Sequence, residues 1–279
     1  MEKRKKDFYT IGEASKICNV STKTLRFYDK IGVVKPDYIS DDNGYRYYCS
    51  STLLKIPIIK YYKQLGFQLE EITGLLQGQS YCGVEDKFRS KMLELKHIEE
   101  LTHNSYVSAY DWYNLIMEAK TVCMQKVHPV NMRYIQALEV GYLEQDFLYD
   151  YRDSQINIEW TDYLAKNNSA ITNAVILKFS SVEEKMSGNC KKACIMQRLV
   201  GSYDEGIGRT TLGGWMAATI YHIASYDNLN ESYEKLLSWI EENKFSYTGE
   251  VYERYVLDYW TTSIEEEFVT EIIIPISKK

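Results

Sequence analysis

The chain lacks a long hydrophobic run. None of its apolar stretches reaches the roughly 18 residues that a transmembrane helix requires. The charged segment Met1–Asp7 also lacks the apolar core of a signal peptide. With 45% hydrophobic and 26% charged residues, the composition is typical of a globular protein. We therefore expect a cytoplasmic protein of 279 residues that has no membrane partner.

Cysteine is scarce and scattered. The six cysteines are residues 18, 49, 82, 123, 190 and 194, and only Cys190 and Cys194 are close neighbours. In a reducing compartment such cysteines are expected as buried thiols rather than disulfides. No third or fourth ligand at fitting spacing accompanies Cys190 and Cys194, so we predict no metal site. A metal or redox role for this pair stays an alternative.

Residues for hydrolytic chemistry are also few. The four histidines, at positions 97, 103, 128 and 222, form no evident triad, and no serine or cysteine lies in a nucleophile motif. We therefore predict no catalytic residue and no cofactor. Glu253 with a nearby tyrosine could still act as a general base, which leaves a weak hydrolase as an alternative.

The net charge of −6 hides an uneven distribution. Residues 1–80 hold 13 Lys and Arg against 9 Asp and Glu, whereas residues 81–279 hold 20 against 30. Lys and Arg that neutralise phosphates release counterions, so affinity for nucleic acid should belong to the first 80 residues. The acidic remainder favours a cationic partner. It disfavours an anionic, nucleotide-like signal, although Arg198 and Arg209 could hold a phosphate.

Two capped helices are predicted near the start of the chain. The stretch Thr10–Asn19 has helical spacing, and a turn centred on Asn19 and Val20 leads to a second helix over Ser21–Gly32. Two helices joined by so short a turn are typical of a helix-turn-helix. In the second helix, Leu25 and Ile31 face inward. The residues predicted to face outward are Thr22, Lys23, Arg26 and Tyr28.

A hairpin and further helices complete this region. Asn43-Gly44 is a strong turn signal between Tyr38-Ile39 and Tyr45–Tyr48, which predicts a wing with Arg46 near its tip. Ser50 or Ser51 should cap the next helix, which Pro57 can bend. A final amphipathic segment before Gly78 ends the winged module near residue 80.

A long helix is predicted over residues 84–121, which contain neither proline nor glycine. Mostly apolar residues recur along it at seven-residue alternation, interrupted by Glu99 and Thr102. A helix of this length cannot bury such a stripe alone, so a coiled-coil partner is expected. Packing against the chain's own C-terminal domain is the alternative.

Residues from about 130 onward alternate between strands and helices. Strands are predicted near residues 132–138, 170–179, 193–200, 215–223, 247–258 and 268–276, with helices over 156–166 and 228–243. Each half therefore runs strand, helix, strand, strand. This order predicts a duplicated β-α-β-β unit, that is, an α+β domain with one antiparallel sheet.

Several motifs of the first 80 residues resemble the DNA-binding domain of the MerR family of transcriptional regulators. They are Ile11-Gly-Glu-Ala, Ser21-x-x-Thr-Leu-Arg-Phe-Tyr-Asp-Lys-Ile-Gly-Val, Gly44-Tyr-Arg-Tyr-Tyr and Leu65-Gly-Phe with Leu69-Glu-Glu-Ile. The resemblance implies a homodimer on a palindrome in a promoter with an overlong spacer, which the activated protein bends and untwists for RNA polymerase. It makes the long helix an antiparallel dimer helix. It also implies DNA contacts by Thr22, Lys23, Arg26, Tyr28, Arg46, Tyr47 and Lys60.

The C-terminal region resembles the gyrase-inhibitor-like effector domain of the multidrug-sensing branch of that family. The motifs are Leu229–Ile240, Gly249-Glu-Val-Tyr-Glu-Arg-Tyr and Glu267–Ile276. In that branch a glutamate in an aromatic cleft neutralises lipophilic cations, and the match places Glu253 there. Alternation along the strand puts Tyr255 on the same face. Strand position adds Tyr134, Tyr221 and Phe268, and Glu266 is a second acid near Phe268.

The sequence thus predicts three parts: a winged helix-turn-helix over 1–80, a coiled-coil dimerisation helix over 81–122 and an effector-binding domain over 123–279. The predicted function is that of a transcriptional activator controlled by a small, lipophilic and cationic effector. A weak hydrolase and a sensor of an anionic, nucleotide-like signal are the alternatives.

Overall fold

The computed structural model describes residues 8–78, 80–125, 127–147, 156–167, 169–201 and 205–279. The chain forms two compact units, residues 1–99 and 100–279, so the long helix contributes to both. Within the described ranges, every helix is too short or too polar to span a bilayer.

The first unit is a winged helix-turn-helix, as predicted. Its elements are β1 (Phe8–Thr10), α1 (Ile11–Cys18), α2 (Thr22–Lys30), β2 (Tyr38–Ile39), β3 (Arg46–Cys49), α3 (Ser50–Leu53), α4 (Lys55–Gln64) and α5 (Leu69–Leu76). Thr10 caps α1 through a capping box with Glu13, and the Ser21 hydroxyl accepts a hydrogen bond from the Thr24 N–H. The three strands form a sheet in the order β1-β3-β2.

The segment before Pro57 differs from the prediction. A short helix, α3, ends at Leu53, and α4 begins at Lys55, so Pro57 lies in the first turn of a new helix. A proline is tolerated there because the first backbone N–H groups have no partner within the helix. The residue before α3 is Cys49, which makes no side-chain capping bond, so the predicted serine cap is wrong.

Helix α6 (Tyr81–Cys123) is 43 residues long, slightly longer than predicted. Its predicted stripe is largely exposed, with Met92 at 69%, Tyr106 at 66% and Tyr113 at 57%. Different residues near its C-terminal end, Leu115, Ala119 and Val122, are buried against the sheet of the second unit. The helix therefore packs on its own C-terminal domain and leaves an apolar stripe exposed.

The second unit contains one antiparallel sheet with helices on its surface. Its elements are β4 (Asn131–Ile135), β5 (Leu138–Asp146), α7 (Ile156–Lys166), β6 (Ala170–Phe179), α8 (Val182–Met186), β7 (Lys192–Val200), β8 (Arg209–Leu212), β9 (Trp215–Ile223), α9 (Leu229–Glu242), β10 (Phe245–Tyr247), β11 (Val251–Leu257) and β12 (Val269–Lys278). The strand order is β4-β9-β12-β11-β6-β7-β5-β8, and β10 pairs with β12.

The sheet order confirms the predicted duplication. Its central part, β9-β12-β11 followed by β6-β7-β5, repeats one pattern in mirror order about the junction between β11 and β6. In the first half, β5 pairs with β7, which also pairs with β6. In the second half, β9 pairs with β12, which also pairs with β11. The strand-helix-strand-strand unit therefore occurs twice, and the two copies meet at β11 and β6.

Some elements were not predicted. The segment 132–138 divides into β4 and the start of β5, and the short elements α8, β8 and β10 have too few residues for a clear periodic pattern. The segment 201–214 between β7 and β9 contains β8, while its residues 202–204 lie outside the described residues.

The two faces of this sheet pack against different helices of the chain. One face, called here the α9 face, packs Val251 and Tyr255 of β11 beneath helices α7 and α9, with Trp160 and Tyr233 fully buried. The opposite face, called the α6 face, packs Val256 and Val269 against the end of α6. Because successive side chains of a strand alternate, β11 serves both faces.

Candidate functional site

The recognition helix α2 presents three of its four predicted contact residues to solvent. Thr22, Lys23 and Arg26 are exposed, so this face is available to a polyanion. The prediction that Tyr28 also faces outward is wrong. Its side chain is 5% exposed and lies in the core of the module with Leu25 and Tyr48. Tyr28 follows Leu25 by three residues, so helical spacing places both on the inward face. The polar hydroxyl of Tyr28 favoured the outward prediction.

The wing is fastened to the recognition helix by an ion pair. Arg46 Nε lies 2.8 Å from Asp29 Oδ2, and this pair joins β3 to α2. Tyr47, on the same strand, packs its ring against Tyr38 with centroids 5.9 Å apart. These contacts orient the wing beside α2, so that the predicted contact residues of both elements belong to one small module.

Lys60 supports the turn between α1 and α2. Its ammonium donates hydrogen bonds to the carbonyl oxygens of Cys18, at 2.6 Å, and Asn19, at 2.9 Å. A cation at the C-terminal end of a helix satisfies carbonyls that have no partner within the helix. The family resemblance implies only a DNA contact for Lys60, because the long-range partners of this lysine are not visible in the sequence.

Glu253 lies at the centre of the second candidate site. The carboxylate is 0% exposed, on the α9 face of β11. Tyr233 of α9 donates its hydroxyl to Glu253 Oε1 at 2.6 Å, and Tyr255 donates to Oε2 at 2.6 Å. The structure thus brings together two predicted residues, Glu253 and Tyr255, and closes them off from solvent. Burying a carboxylate costs free energy unless hydrogen bonds and an opposite charge compensate it.

Lys185 supplies that opposite charge. Its Nζ lies 3.3 Å from Glu253 Oε1, and the two side chains are 5% and 0% exposed. Lys185 could not be predicted from sequence, because it lies on the unpredicted helix α8, far from Glu253 along the chain. Tyr233 was not predicted either, although the motif Leu229–Ile240 contains it and helical spacing places it inward.

Glu253, Tyr233, Tyr255 and Lys185 are called here the Glu253 cage. Phe268 contacts this cage through one intermediate ring. It is 1% exposed and stacks on Tyr226 with ring centroids 5.2 Å apart. Tyr226 in turn meets Tyr255 edge to face at 5.6 Å. Aromatic pairs at these distances stabilise one another beyond simple burial. The predicted Phe268 therefore supports the ring that donates to Glu253.

Three other predicted effector residues lie elsewhere. Tyr134 is 52% exposed on β4, three strands from β11. Glu266 is exposed in the turn before β12. Tyr221 lies on the α6 face, so its assignment to the same cleft as Glu253 is wrong. The motif over Trp215–Ile223 showed a strand but not which of its faces is inward, since both are apolar.

Tyr221 belongs to a charged network that ties α6 to the sheet. Its hydroxyl donates to Glu118 at 2.7 Å, and Glu118 also pairs with Arg254. Arg254 Nε lies 2.8 Å from the buried Glu271, which pairs with Arg133 as well. Burial acts to raise the pKa of Glu118, but the Arg254 guanidinium and its hydrogen bonds hold that pKa below its usual range. Burial raises the pKa of the Tyr221 hydroxyl.

The cysteine pair and the two arginines considered above are each held in structural contacts. Cys190 and Cys194 are free thiols that pack in different clusters, one on each face of the sheet. Burial raises the pKa of the Cys194 thiol to about 11. Arg198 lies 3.4 Å from Asp111, and Arg209 lies 3.5 Å from Glu139. Within the described residues, no cluster of three or more His, Cys, Asp or Glu side chains could hold a metal ion.

Comparison with known proteins matches both units. The model of the MerR HTH family regulatory protein matches residues 9–79, and that of the GyrI-like small molecule binding domain matches residues 128–277. The Multidrug-efflux transporter 1 regulator of Bacillus subtilis (strain 168) is 26% identical over 98% of this chain and 100% of its own length. The Multidrug-efflux transporter 2 regulator of the same organism is 24% identical, covering 98% of each chain.

Among solved structures, a cryo-EM structure of an EcmrR–DNA complex is similar at 26% identity and a TM-score of 0.46, covering 97% of this chain and 100% of that one. The GyrI-like match alone spans more than half of the chain, and the MerR match covers the winged module. The chain therefore belongs to the MerR family of transcriptional regulators and carries a GyrI-like small-molecule-binding domain.

Proposed function

We propose that this regulator is a dimeric transcriptional activator that responds to a lipophilic organic cation bound at Glu253. The observation that carries the proposal is a carboxylate with 0% exposure that is surrounded by aromatic rings. Such a group favours a cation that brings its own apolar surface, because ring faces and the negative carboxylate both attract positive charge. The relatives named as regulators of multidrug-efflux transporters support this choice.

Each of the three predicted parts has its own role in this function. Residues 1–80 bind promoter DNA, 81–122 form the dimer helix and 123–279 bind the effector. The exposed stripe of α6, which includes Met92, Tyr106 and Tyr113, supports a second copy of the chain as the helix partner. Two winged modules then bend and untwist an overlong promoter spacer for RNA polymerase in the cytoplasm. An effector shifts this equilibrium only by binding the active state more tightly.

A binding role rather than catalysis follows from how Glu253 is held. Tyr233 and Tyr255 each donate to it at 2.6 Å, and the Lys185 ammonium lies beside it. A general base needs an accepting lone pair directed at a substrate proton. A carboxylate with both oxygens already engaged is instead suited to charge recognition.

Arg26→Ala should weaken binding to promoter DNA. Arg26 is exposed on the outer face of α2, where loss of one phosphate contact lowers affinity across sequences and reduces the salt slope by about one. We expect at least a fivefold higher Kd by fluorescence anisotropy, with a labelled duplex from upstream of the protein's own coding region. Arg89→Ala is the matched control, since Arg89 pairs with Glu85 on α6. Equal effects of the two variants would contradict the assignment of α2.

Glu253→Gln should weaken effector binding. The amide has almost the same shape, and its oxygen can still accept from one of the two tyrosine hydroxyls that bond to Glu253. It carries no charge to attract a cation. Titration with tetraphenylphosphonium, followed by tryptophan fluorescence, should show at least a tenfold loss of affinity. The control is Glu250→Gln, because Glu250 pairs with Lys178 outside the cage. Unchanged binding by Glu253→Gln would refute the proposed site.

A further inference from the structure

The Glu253 cage already contains a cation from the protein itself. Lys185 Nζ lies 3.3 Å from Glu253 Oε1 and faces three aromatic rings. Its distances to the ring centroids are 5.1 Å for Phe179, 5.6 Å for Phe147 and 5.8 Å for Tyr233. A cation within about 6 Å of a ring face is attracted by the ring quadrupole. The ammonium thus has the surroundings that would suit an organic cation.

Lys185 and a second cation cannot share this site without a large cost. The Lys185 and Glu253 side chains are 5% and 0% exposed, so water cannot screen two positive charges placed together there. Glu253 also has both oxygens engaged, by Tyr233 and Lys185 on one and by Tyr255 on the other. An incoming cation must therefore take the place of the ammonium.

The ammonium is carried by the short helix α8. This helix has only five residues, Val182–Met186, and Lys185 lies in its last turn. The helix is held in place: the Val182 N–H donates to the Gly249 carbonyl at 2.8 Å, Asn230 of α9 donates to the Met186 carbonyl at 3.2 Å, and the Tyr247 hydroxyl donates to Glu183 at 2.9 Å. The lysine itself has a flexible four-carbon stem, so its ammonium can leave the cage by rotation about side-chain bonds.

We propose that Lys185 is a built-in competitor of the effector, and that an organic cation enters the Glu253 cage only by expelling the Lys185 ammonium. The inference rests on the proposed function, because it takes the cage as the effector site. It adds that the protein's own lysine neutralises and closes the cage. Affinity and selectivity then depend on how well a ligand outcompetes the lysine, and exposure of the Lys185 ammonium marks the occupied state.

The test compares Lys185→Met with wild type in tetraphenylphosphonium titrations. Methionine keeps an apolar stem of similar length but leaves Glu253 without its cation, so the Kd should fall at least tenfold. Lys185→Arg keeps the charge and should bind no more tightly than wild type. Lys178→Met is the matched control, since Lys178 pairs with Glu250 at 2.7 Å away from the cage. Unchanged or weaker binding by Lys185→Met would overturn the proposal.

The Glu253→Gln change separates this inference from the proposed function. If Glu253→Gln weakens tetraphenylphosphonium binding while Lys185→Met does not tighten it, the effector site is supported and the competitor role fails. If Glu253→Gln leaves binding unchanged in both the wild-type and the Lys185→Met backgrounds, the assignment of the site is wrong. Tighter binding by Lys185→Met that disappears in the double variant Lys185→Met/Glu253→Gln supports both.

A measurement on the unmodified chain covers the case in which Lys185→Met fails to fold. Acetylation of wild type by an N-hydroxysuccinimide ester, followed by peptide mass spectrometry, reports the exposure of each lysine. Saturating tetraphenylphosphonium should raise the labelling rate of Lys185 at least fivefold and leave that of Lys178 unchanged. A labelling rate of Lys185 that stays constant or falls, at ligand concentrations that saturate the fluorescence change, would refute expulsion of the ammonium.

Discussion

Arg254→Ala should lower the free energy of unfolding of the C-terminal domain by about 3 to 5 kcal/mol, the range for breaking a buried ion pair by removing one partner. Arg254 lies between Glu271, at 2.8 Å, and Glu118. Glu271 is 0% exposed and would keep only Arg133, while Glu118 would keep only the Tyr221 hydroxyl among the network's groups. The penalty is therefore that of leaving carboxylates buried with too little compensation.

Urea denaturation, followed by far-ultraviolet circular dichroism, measures this change. Arg198→Ala is the matched control, because Arg198 makes a single ion pair with Asp111 at 3.4 Å and is 43% exposed. Exposed pairs of this kind contribute at most about 1 kcal/mol. A loss below about 1 kcal/mol for Arg254→Ala would mean that solvent or rearrangement compensates Glu271, and that the network does not hold α6 to the sheet.

Asp258→Asn should stabilise the protein near neutral pH and have little effect in acid. Asp258 follows β11 and is 9% exposed, and its Oδ1 accepts the Trp260 N–H at 3.0 Å. Burial raises the pKa of this carboxyl from 3.8 to about 6. Asparagine keeps an acceptor for Trp260 but has no charge to bury, so the variant avoids the cost of ionising Asp258 in the folded state.

The sign of the pH dependence follows from the raised pKa. Between 3.8 and about 6 the folded state binds more protons than the unfolded state, so ionisation of Asp258 lowers stability as the pH rises through this window. A shift of about two pH units corresponds to at most about 3 kcal/mol. The gain from Asp258→Asn should be nearly absent at about pH 4 and complete at about pH 7.

Urea denaturation at several pH values checks this prediction. The control is Asp227→Asn, since Asp227 is exposed in the short turn before α9. The difference in free energy of unfolding between Asp227→Asn and wild type should not grow between acid and neutral pH. An Asp258→Asn gain that is equal at both ends of the range, or a loss at neutral pH, would contradict ionisation of a buried Asp258.

The winged module could be predicted from sequence because its signals are local. Thr10, Ser21 and Asn43-Gly44 act within a few residues, so caps and turns fixed the elements before any tertiary contact was known. Tyr28 was assigned to the wrong side because a tyrosine suits both a core and a polar surface.

The Glu253 cage is only half predictable from sequence, since its contacts join distant parts of the chain. Glu253 and Tyr255 came from one strand motif and strand alternation. Lys185 and Tyr233 come from two helices that are 68 and 20 residues away from Glu253 along the chain. Lys185 lies on a helix of five residues, which is too short to show periodicity, and its sequence gives no sign that its ammonium is buried.

Strand β11 divides two tasks by the parity of its residue numbers. Its odd positions, 253 and 255, belong to the cage, while the even positions 254 and 256 hold the end of α6. Substitutions at the odd positions can therefore change the cage and leave the contact with the long helix intact, or the reverse. Insertion of a single residue just before Glu253 would turn residues 253–256 to the opposite faces, and would remove both the cage residues and the α6 contacts of β11 at once.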